Sequence, residues 1–244
     1  MIAATPAGRA TRLSGCTEPD RSHRLIRFGD TGHPMNHLYY APGAASMLVH
    51  WLLIELDVPH ELRLVDTASG AQKHPDYLAL NPNGVVPTLV RKGTPMFEAA
   101  ALAMTLSDEH PAARLAPAFD APTRPRYNQW MFHLANAVQP LFRQWWYPHE
   151  PAGADQADAV RAHVAPRIED AWTRIDAHLG ANGPYLLGDA VTTPDFYLTM
   201  LMRWSRNMPR PATQWPQLAA LAGAMRSRPS FRTLYEREGL TEWA

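Results

Sequence analysis

Asn81-Pro82-Asn83-Gly84-Val85-Val86-Pro87-Thr88-Leu89-Val90 is the stretch that decides the fold of the first half of the chain. Its Asn-Pro and Asn-Gly pairs mark a turn, and Thr88 begins a strand. Pro87 follows Val86 in this tight corner, where a cis bond lies only ~0.5–1 kcal/mol above trans. Such a corner leaves the N–H and C=O groups of Val86 unpaired, so that an extended peptide can add to them like a strand.

A second feature lies just downstream of this corner. The next strand ends near Phe97, and Glu98-Ala99-Ala100 opens an alanine-rich helix. The first N–H groups of a helix have no intrahelical partner and attract a carboxylate. A peptide-backbone site beside an anion site suits a small acidic peptide.

Hydrophobic patterns extend this unit in both directions. Residues 36–40 form a predicted strand, and 45–56 a helix that is apolar nearly all round and therefore buried. Alternation predicts a strand at 61–65, which completes a βαβ unit. A short helix at 75–80, strands at 87–91 and 94–97, and a helix at 98–109 follow. This order resembles a thioredoxin-like α/β domain over residues 35–110.

The second half of the chain is predicted to be helical throughout. Residues 111–124 contain three prolines and form the expected linker, and 125–244 form an all-α domain. We expect Pro140 and Pro166 to interrupt their helices, and Asp155 to cap one. Thr192 and Asp195 have the spacing of a capping box, which we assign to folding and not to chemistry.

Composition limits the possible partners and compartment. Lysine plus arginine and aspartate plus glutamate both number 23, which argues against nucleic acid or an acidic membrane as the main partner. The only cysteine, Cys16, excludes an intrachain disulfide and suits a reducing compartment. Residues 1–34 are arginine-rich without an apolar core, so we expect a disordered leader in preference to a transit peptide. No apolar run is long enough to span a membrane.

Four motifs in order resemble those of the glutathione transferases, and most closely the bacterial beta class. The resemblance covers roughly residues 35 to 240, and no single motif is specific by itself. The motifs are Leu38-Tyr39-Tyr40-Ala41-Pro42-Gly43-Ala44-Ala45-Ser46, Asn81-Pro82-Asn83-Gly84-Val85-Val86-Pro87-Thr88-Leu89, Glu98-Ala99, and Gly188-Asp189 with Thr192 and Asp195.

The resemblance implies a glutathione site in the first domain. The main chain of Val86, before Pro87, would pair with the cysteinyl unit, while Glu98 and the Ala99 amide would hold the γ-glutamyl end. Ser46 or Tyr40 would stabilise the thiolate. A cysteine-like thiol has a pKa near ~8.5, and lowering it by about two units takes roughly 2.7 kcal/mol. From the residues alone, Tyr40 is equally an aromatic packed at a strand end, and Ser46 equally a helix cap.

A pocket for the second substrate is expected on the 127–147 helix. Its candidates are Trp145, Trp146 and Tyr147, each of which could instead pack in the core or a dimer interface. The histidines lack metal-ligand spacing, so no metal is predicted. The resemblance also implies a cytoplasmic homodimer that acts in detoxification, with glutathione as co-substrate.

Several positions depart from the beta-class pattern. Ala45 stands at that class's cysteine, which removes mixed-disulfide chemistry there, and Gln139 stands at a histidine that lines the site. Val85 replaces a glutamine, and Ala99 a serine or glycine. The main hypothesis is conjugation of glutathione to an electrophilic apolar substrate. A non-catalytic binding module on the same fold and a glutathione-dependent peroxidase or reductase are the alternatives.

Overall fold

The computed structural model describes residues 35–243, so the predicted leader and Cys16 lie outside the described residues. Four strands form one sheet in the order β2-β1-β3-β4. The strands are β1 (Asn36–Tyr40), β2 (His60–Leu64), β3 (Thr88–Arg91) and β4 (Thr94–Phe97). β1 runs parallel to β2 and antiparallel to β3, and β3 and β4 form a hairpin.

Three helices accompany the sheet. They are α1 (Ser46–Glu55), α2 (Pro75–Leu78) and α3 (Ala99–Glu109). Eight of the ten residues of α1 are buried, as its all-round apolar pattern predicts. The strands and the two longer helices begin and end within one residue of the predicted bounds. The prediction of a thioredoxin-like α/β domain followed by a helical domain is therefore confirmed.

The register of the sheet gathers three of the predicted site residues at one end. Tyr39 pairs with Thr88, and Thr88 pairs with Phe97. Their chain neighbours Tyr40, Pro87 and Glu98 therefore lie side by side beyond the last pairs. Both α1 and α3 begin at this same end, because each follows the strand that finishes there.

The connection between the two halves is anchored by a buried arginine. The Arg124 guanidinium donates two hydrogen bonds to the Asp108 carboxylate, at 2.6 and 2.8 Å, and one to the Pro117 carbonyl at 3.0 Å. Asp108 raises the pKa of Arg124, against the opposing effect of burial. Because Asp108 belongs to α3, the linker is fixed to the first half of the chain.

The second half is helical in the described part of the chain. Its helices are α4 (Arg124–His133), α5 (Gln139–Trp146), α6 (His149–Ala152), α7 (Ala157–Asn182), α8 (Thr193–Trp204), α9 (Pro216–Arg226) and α10 (Pro229–Glu238). A π-helical segment, Leu134–Val138, separates α4 from α5, so the expected interruption at Pro140 is present.

Two expectations about α7 are wrong. The helix continues through Pro166, which is exposed, so water can satisfy the carbonyl that the proline leaves free. Its N-cap is Gln156, and Asp155 lies in a short 3-10 turn before it.

The predicted capping box at the start of α8 is present. Asp195 accepts hydrogen bonds from the Thr192 N–H at 2.8 Å, the Thr192 hydroxyl at 3.0 Å and the Leu186 N–H at 2.9 Å. Burial raises the pKa of Asp195 to about 6, although these hydrogen bonds act in the opposite direction.

The helix α1 packs between the sheet and the helical domain. The Trp51 ring lies 4.8 Å from the Phe196 ring and 5.1 Å from the Phe231 ring. Its indole N–H donates to the Ser230 hydroxyl at 2.8 Å. The N-terminus of α1 is thereby positioned by both halves of the protein. Across residues 35–243, no helix combines the length and apolarity that a membrane span needs.

Candidate active site

The corner at residues 81–87, which we call the Val86 corner, is held by short-range hydrogen bonds. The Val85 carbonyl accepts from the Tyr77 hydroxyl at 2.7 Å and from the Asn81 amide at 2.8 Å. The Tyr77 hydroxyl also lies 2.9 Å from the Thr88 hydroxyl. The Val86–Pro87 peptide bond is cis, as predicted. Tyr77, which sequence reasoning did not single out, acts with Asn81 and Thr88 to fix the main chain on either side of Val86.

The two main-chain features predicted for this edge are both open. Within residues 35–243, no group bonds to the N–H or the C=O of Val86. Ala99 is the first residue of α3, so its N–H lies beyond the intrahelical ladder. Glu98 precedes it with an exposed side chain and φ of 73°, a backbone region that residues other than glycine seldom adopt.

The loop of residues 41–45, which we call the β1–α1 loop, leads from the first strand into the first helix. Ser46 follows it and is fully buried. Its hydroxyl donates to the Ala41 carbonyl at 3.1 Å and accepts from the Ala41 N–H at 3.2 Å. The single hydroxyl proton is therefore used within the loop. The N-cap of α1 is Ala45, so the alternative reading of Ser46 as the cap is wrong.

Tyr40 presents a different environment. Its side chain is partly exposed, and no described residue bonds to its hydroxyl. Burial, followed by the negative charge of Glu238, raises the pKa of Tyr40, so the phenol keeps its proton at neutral pH. Tyr39 lies on the other face of the sheet, with its ring 5.8 Å from that of Tyr77. Of the two hydroxyls predicted for the thiol, Tyr40 has the one that is free to donate.

Three side chains from the helical domain converge on the β1–α1 loop, and we call them with Gly43 the Gly43 cluster. The Gly43 N–H donates to Glu238 at 2.7 Å, and its carbonyl accepts from the Trp204 indole at 2.8 Å. A Cβ on Gly43 would lie 2.6 Å from the Arg203 Nη1, and its φ of 67° also favours glycine. The other Glu238 oxygen lies 2.8 Å from His50 Nδ1, with both side chains fully buried.

The aromatic candidates at the C-terminal end of α5 differ in exposure: Trp146 and Tyr147 are exposed, and Trp145 is partly buried. Trp146 is 39% exposed, and its indole donates to the Trp204 carbonyl at 3.2 Å, next to the Gly43 cluster. Tyr147, 43% exposed, has the Arg143 guanidinium 4.2 Å from its ring centre. Trp145 instead packs against the hydrophobic core, which is the alternative left open by the sequence.

Family models match both halves of the chain. The model of the glutathione S-transferase N-terminal domain matches residues 45–109, and that of the C-terminal domain matches residues 136–236. Together they cover more than half of the sequence. The chain belongs to the glutathione S-transferase family.

Individual members support this assignment. This transferase is 34% identical over 172 residues to a glutathione S-transferase of Xanthomonas campestris, covering 69% of this chain and 81% of that one. The structure of a sphingomonad glutathione S-transferase complexed with glutathione is 28% identical, with a TM-score of 0.74, and the match covers 84% and 100% of the chains. A beta-class enzyme from Sphingomonas chungbukensis is 25% identical, with the same TM-score and coverage. These relatives confirm the predicted beta-class likeness and favour a transferase over a non-catalytic module.

One departure of this transferase from the beta-class pattern has a defined environment. Gln139, which the resemblance places at that class's histidine position, accepts a hydrogen bond from the Tyr197 hydroxyl through its side-chain oxygen. Burial and then the nearby Glu98 charge raise the pKa of Tyr197, which keeps this donor protonated. The bond fixes the Gln139 amide at the junction of the π-helical segment and α5.

A separate cavity of about 750 Å³ lies beside the linker. It is lined by residues of α3, the linker and the loop before α8, among them Asp108, Arg114, Phe119, Leu187 and Asp189. None of the predicted site residues lines it. The candidate active site is therefore the open edge formed by main-chain groups, and this cavity is separate from it.

Proposed function

We propose that the protein joins the sulfur of glutathione to an electrophilic, apolar compound. The observation that carries the proposal is the open main chain of Val86 beside the unpaired N-terminal amide of α3. A γ-glutamyl tripeptide offers a backbone segment for the first and a carboxylate for the second. Family membership and the glutathione-bound relative support the same ligand.

The binding half of the proposal uses four residues. The cysteinyl unit pairs with the N–H and C=O of Val86, in the conformation set by Pro87. The Ala99 N–H receives the γ-glutamyl carboxylate, and the Glu98 carboxylate receives the α-amino group. Each of these contacts adds a hydrogen bond to a charged or main-chain group, worth roughly 0.5–3 kcal/mol. Binding therefore depends little on side chains other than Glu98.

The thiol half of the proposal assigns the activating hydroxyl to Tyr40. A phenol that stays protonated can donate to a thiolate, and such charge-assisted bonds are stronger than neutral ones. Ser46, the other candidate, keeps its hydroxyl on Ala41 in this proposal and acts by shaping the β1–α1 loop. The N-terminus of α1 adds its dipole to the stabilisation of the anion.

The reaction is a substitution or an addition at carbon. The thiol loses its proton to solvent, and the sulfur forms a bond to the electrophilic carbon. In a substitution the leaving group departs with its electron pair, and in an addition the displaced π electron pair takes up a proton from solvent. Trp146 and Tyr147 offer the exposed apolar surface for this second substrate. Trp145 packs on the core and contributes to the wall behind them rather than to contact with substrate.

The setting of the reaction is also part of the proposal. We propose a homodimer in the cytoplasm that acts in detoxification, with glutathione and a small electrophile as its partners. Phe132 on α4 is 59% exposed, and a dimer interface would cover it. Light scattering on the purified protein tests the dimer, and fractionation of cells tests the compartment.

A calorimetric titration with glutathione tests the binding half directly. We expect saturable binding to the wild type and weaker binding to Glu98→Gln, which loses the charge that faces the α-amino group. Glu236→Gln, an exposed carboxylate on α10, is the matched control and should bind as the wild type does. The absence of glutathione binding to the folded wild type would refute the proposal.

Turnover with a panel of electrophiles tests the thiol half. Tyr40→Phe should lower kcat about tenfold or more, the effect of losing one hydrogen bond to a charged group, while binding glutathione normally. The double variant with Ser46→Ala tests whether the serine contributes further. Unchanged turnover in the double variant would refute hydroxyl activation, and hydroperoxide reduction without conjugation would point to a peroxidase instead.

A further inference from the structure

Arg203 is a buried cation that has no carboxylate partner among residues 35–243. It lies in the last turn of α8 with only 3% of its surface exposed. Its Nε donates to the Tyr235 hydroxyl at 2.9 Å, and its guanidinium lies 5.7 Å from the Tyr235 ring centre. In the part of the chain that the structure describes, no carboxylate oxygen comes within 4.0 Å of its nitrogens. Buried arginine is seldom left without such a partner.

The two terminal nitrogens of Arg203 face the β1–α1 loop. A Cβ atom on Gly43 would lie 2.6 Å from Nη1 and 3.4 Å from Nη2, so only a glycine at this position allows the guanidinium to come so close to the loop. Among residues 35–243, no acceptor bonds to the four N–H groups of these nitrogens. The charge of Arg203 therefore lies against the β1–α1 loop and is not neutralised by a bonded acceptor among these residues.

Other charged and titratable groups surround the same loop. Glu238 approaches Gly43 with its carboxylate bound to the Gly43 N–H and to His50. Glu242 is paired with Arg206, and the charge of Arg203 also contributes to lowering the pKa of Glu242. The remaining neighbours are the phenols of Tyr40 and Tyr235 and the guanidinium of Arg226. The anion of Glu238 thus has its own donors, whereas the terminal N–H groups of Arg203 have no acceptor among the described residues.

We propose that Arg203, whose guanidinium packs against Gly43, is a positioning residue that favours the thiolate form of a sulfur bound at the β1–α1 loop. The inference rests on the proposed function, because it concerns the same sulfur. It gives the helical domain a direct part in activating the thiol. Arg203, which is distant in sequence, would add to the stabilisation of the thiolate that Tyr40 and the N-terminus of α1 provide.

The expected size of the effect follows from the general behaviour of ionisable groups. A cation a few ångströms from a thiol lowers its pKa by about one unit or more, and partial cancellation by Glu238 keeps Arg203 near the low end. Losing the cation should therefore raise the pKa of bound glutathione by about one unit. At a pH below that pKa, the thiolate fraction would fall about tenfold.

The test measures the thiolate absorbance of bound glutathione against pH, alongside a calorimetric titration of the same proteins. Arg203→Gln should raise the thiol pKa by about one unit, and Arg203→Lys, which keeps the charge, should stay close to the wild type. Arg210→Gln removes an exposed arginine and is the control for charge loss elsewhere. Tyr235→Phe removes the hydroxyl that accepts from Arg203 Nε, so the Arg203 guanidinium can move away from the loop. This variant should raise the thiol pKa by less than Arg203→Gln does.

The possible outcomes distinguish a failure of the role of Arg203 from a failure of the proposed function. A wild type that does not bind glutathione refutes both. Normal glutathione binding by Arg203→Gln with an unchanged thiol pKa refutes the role of Arg203 and leaves the proposed function standing. Equal thiol pKa values in Arg203→Gln and Arg203→Lys also refute it, because a residue that acts through its charge must distinguish the two. If Arg203→Gln does not fold, an unchanged thiol pKa in Tyr235→Phe refutes the role of Arg203 in its place.

Discussion

The Val86 corner and the Gly43 cluster lie at the same end of the sheet but are built in different ways. The corner is held by residues close in sequence, with Tyr77 and Asn81 bonded to Val85. The cluster depends on Glu238 and Trp204, which are 195 and 161 residues away from Gly43. The edge that we propose for peptide binding is therefore a property of the first domain, while the proposed thiol side is completed by the second.

Removing Glu238 is expected to have the largest effect. Glu238→Ala leaves the Gly43 N–H and His50 without their buried acceptor, so the free energy of unfolding should fall by about 3–5 kcal/mol in urea denaturation. Glu236→Ala on the exposed face of α10 should change it by less than about 0.5 kcal/mol. Equal effects of the two variants would mean that the cluster does not hold the loop.

The pH dependence of stability tests the capping box at the start of α8, the helix that carries Arg203 and Trp204. Burial raises the pKa of Asp195 to about 6 from 3.8, so the folded state binds its proton more tightly than the unfolded state does. The stabilising contribution is complete below pH 3.8 and is lost as the pH rises through about 6. It amounts to at most ~3 kcal/mol.

Asp195→Asn cannot titrate and isolates this contribution. The unfolding free energy of the wild type relative to this variant should fall as urea denaturation is repeated from acid to neutral pH. A relative stability of the wild type that rises with pH would show that the hydrogen bonds from Leu186 and Thr192 outweigh burial, which reverses the sign.

Tyr77→Phe tests the corner without touching the cluster. The variant loses the bonds to the Val85 carbonyl and the Thr88 hydroxyl, so the free energy of unfolding should fall by about 1–2 kcal/mol. Calorimetry should show weaker glutathione binding, while kcat at saturation stays near that of the wild type. Tyr185→Phe is the control, because no described residue bonds to the Tyr185 hydroxyl. A fall in kcat with normal binding would contradict the division between the two regions.

Trp146→Ala should have the smallest effect on stability. Its side chain is only partly buried and its indole bonds to the Trp204 carbonyl, so the free energy of unfolding should fall by about 1 kcal/mol. Steady-state kinetics should show a higher KM for the electrophile and an unchanged KM for glutathione. Trp145→Ala is the informative partner, since packing on the core should make it about 2 kcal/mol or more less stable. A larger loss of stability in Trp146→Ala than in Trp145→Ala would mean that Trp146 packs on the core and Trp145 faces the substrate.

The same contrast explains what could be read from the sequence. Asn-Gly and Val-Pro encode the corner locally, and hydrophobic periods located the strands and α1 to within a residue. The distant cluster left no local signal, because nothing near Gly43 in the sequence points to Arg203 or Glu238. Ser46 looked like a donor or a cap, and only the three-dimensional contact with Ala41 shows where its proton goes. Pro166 looked like a break because its solvent exposure could not be read from the sequence.

Gly43 has a consequence for protein engineering. Its surroundings make the two halves of this transferase interdependent, so a chimera spliced at residues 111–124 would succeed only if the donated half brought arginine, tryptophan and glutamate to positions 203, 204 and 238. Variation aimed at new electrophiles is better confined to the Trp146 and Tyr147 surface. On this proposed second-substrate surface, substitution should alter which electrophile is accepted and leave the proposed sulfur site unchanged.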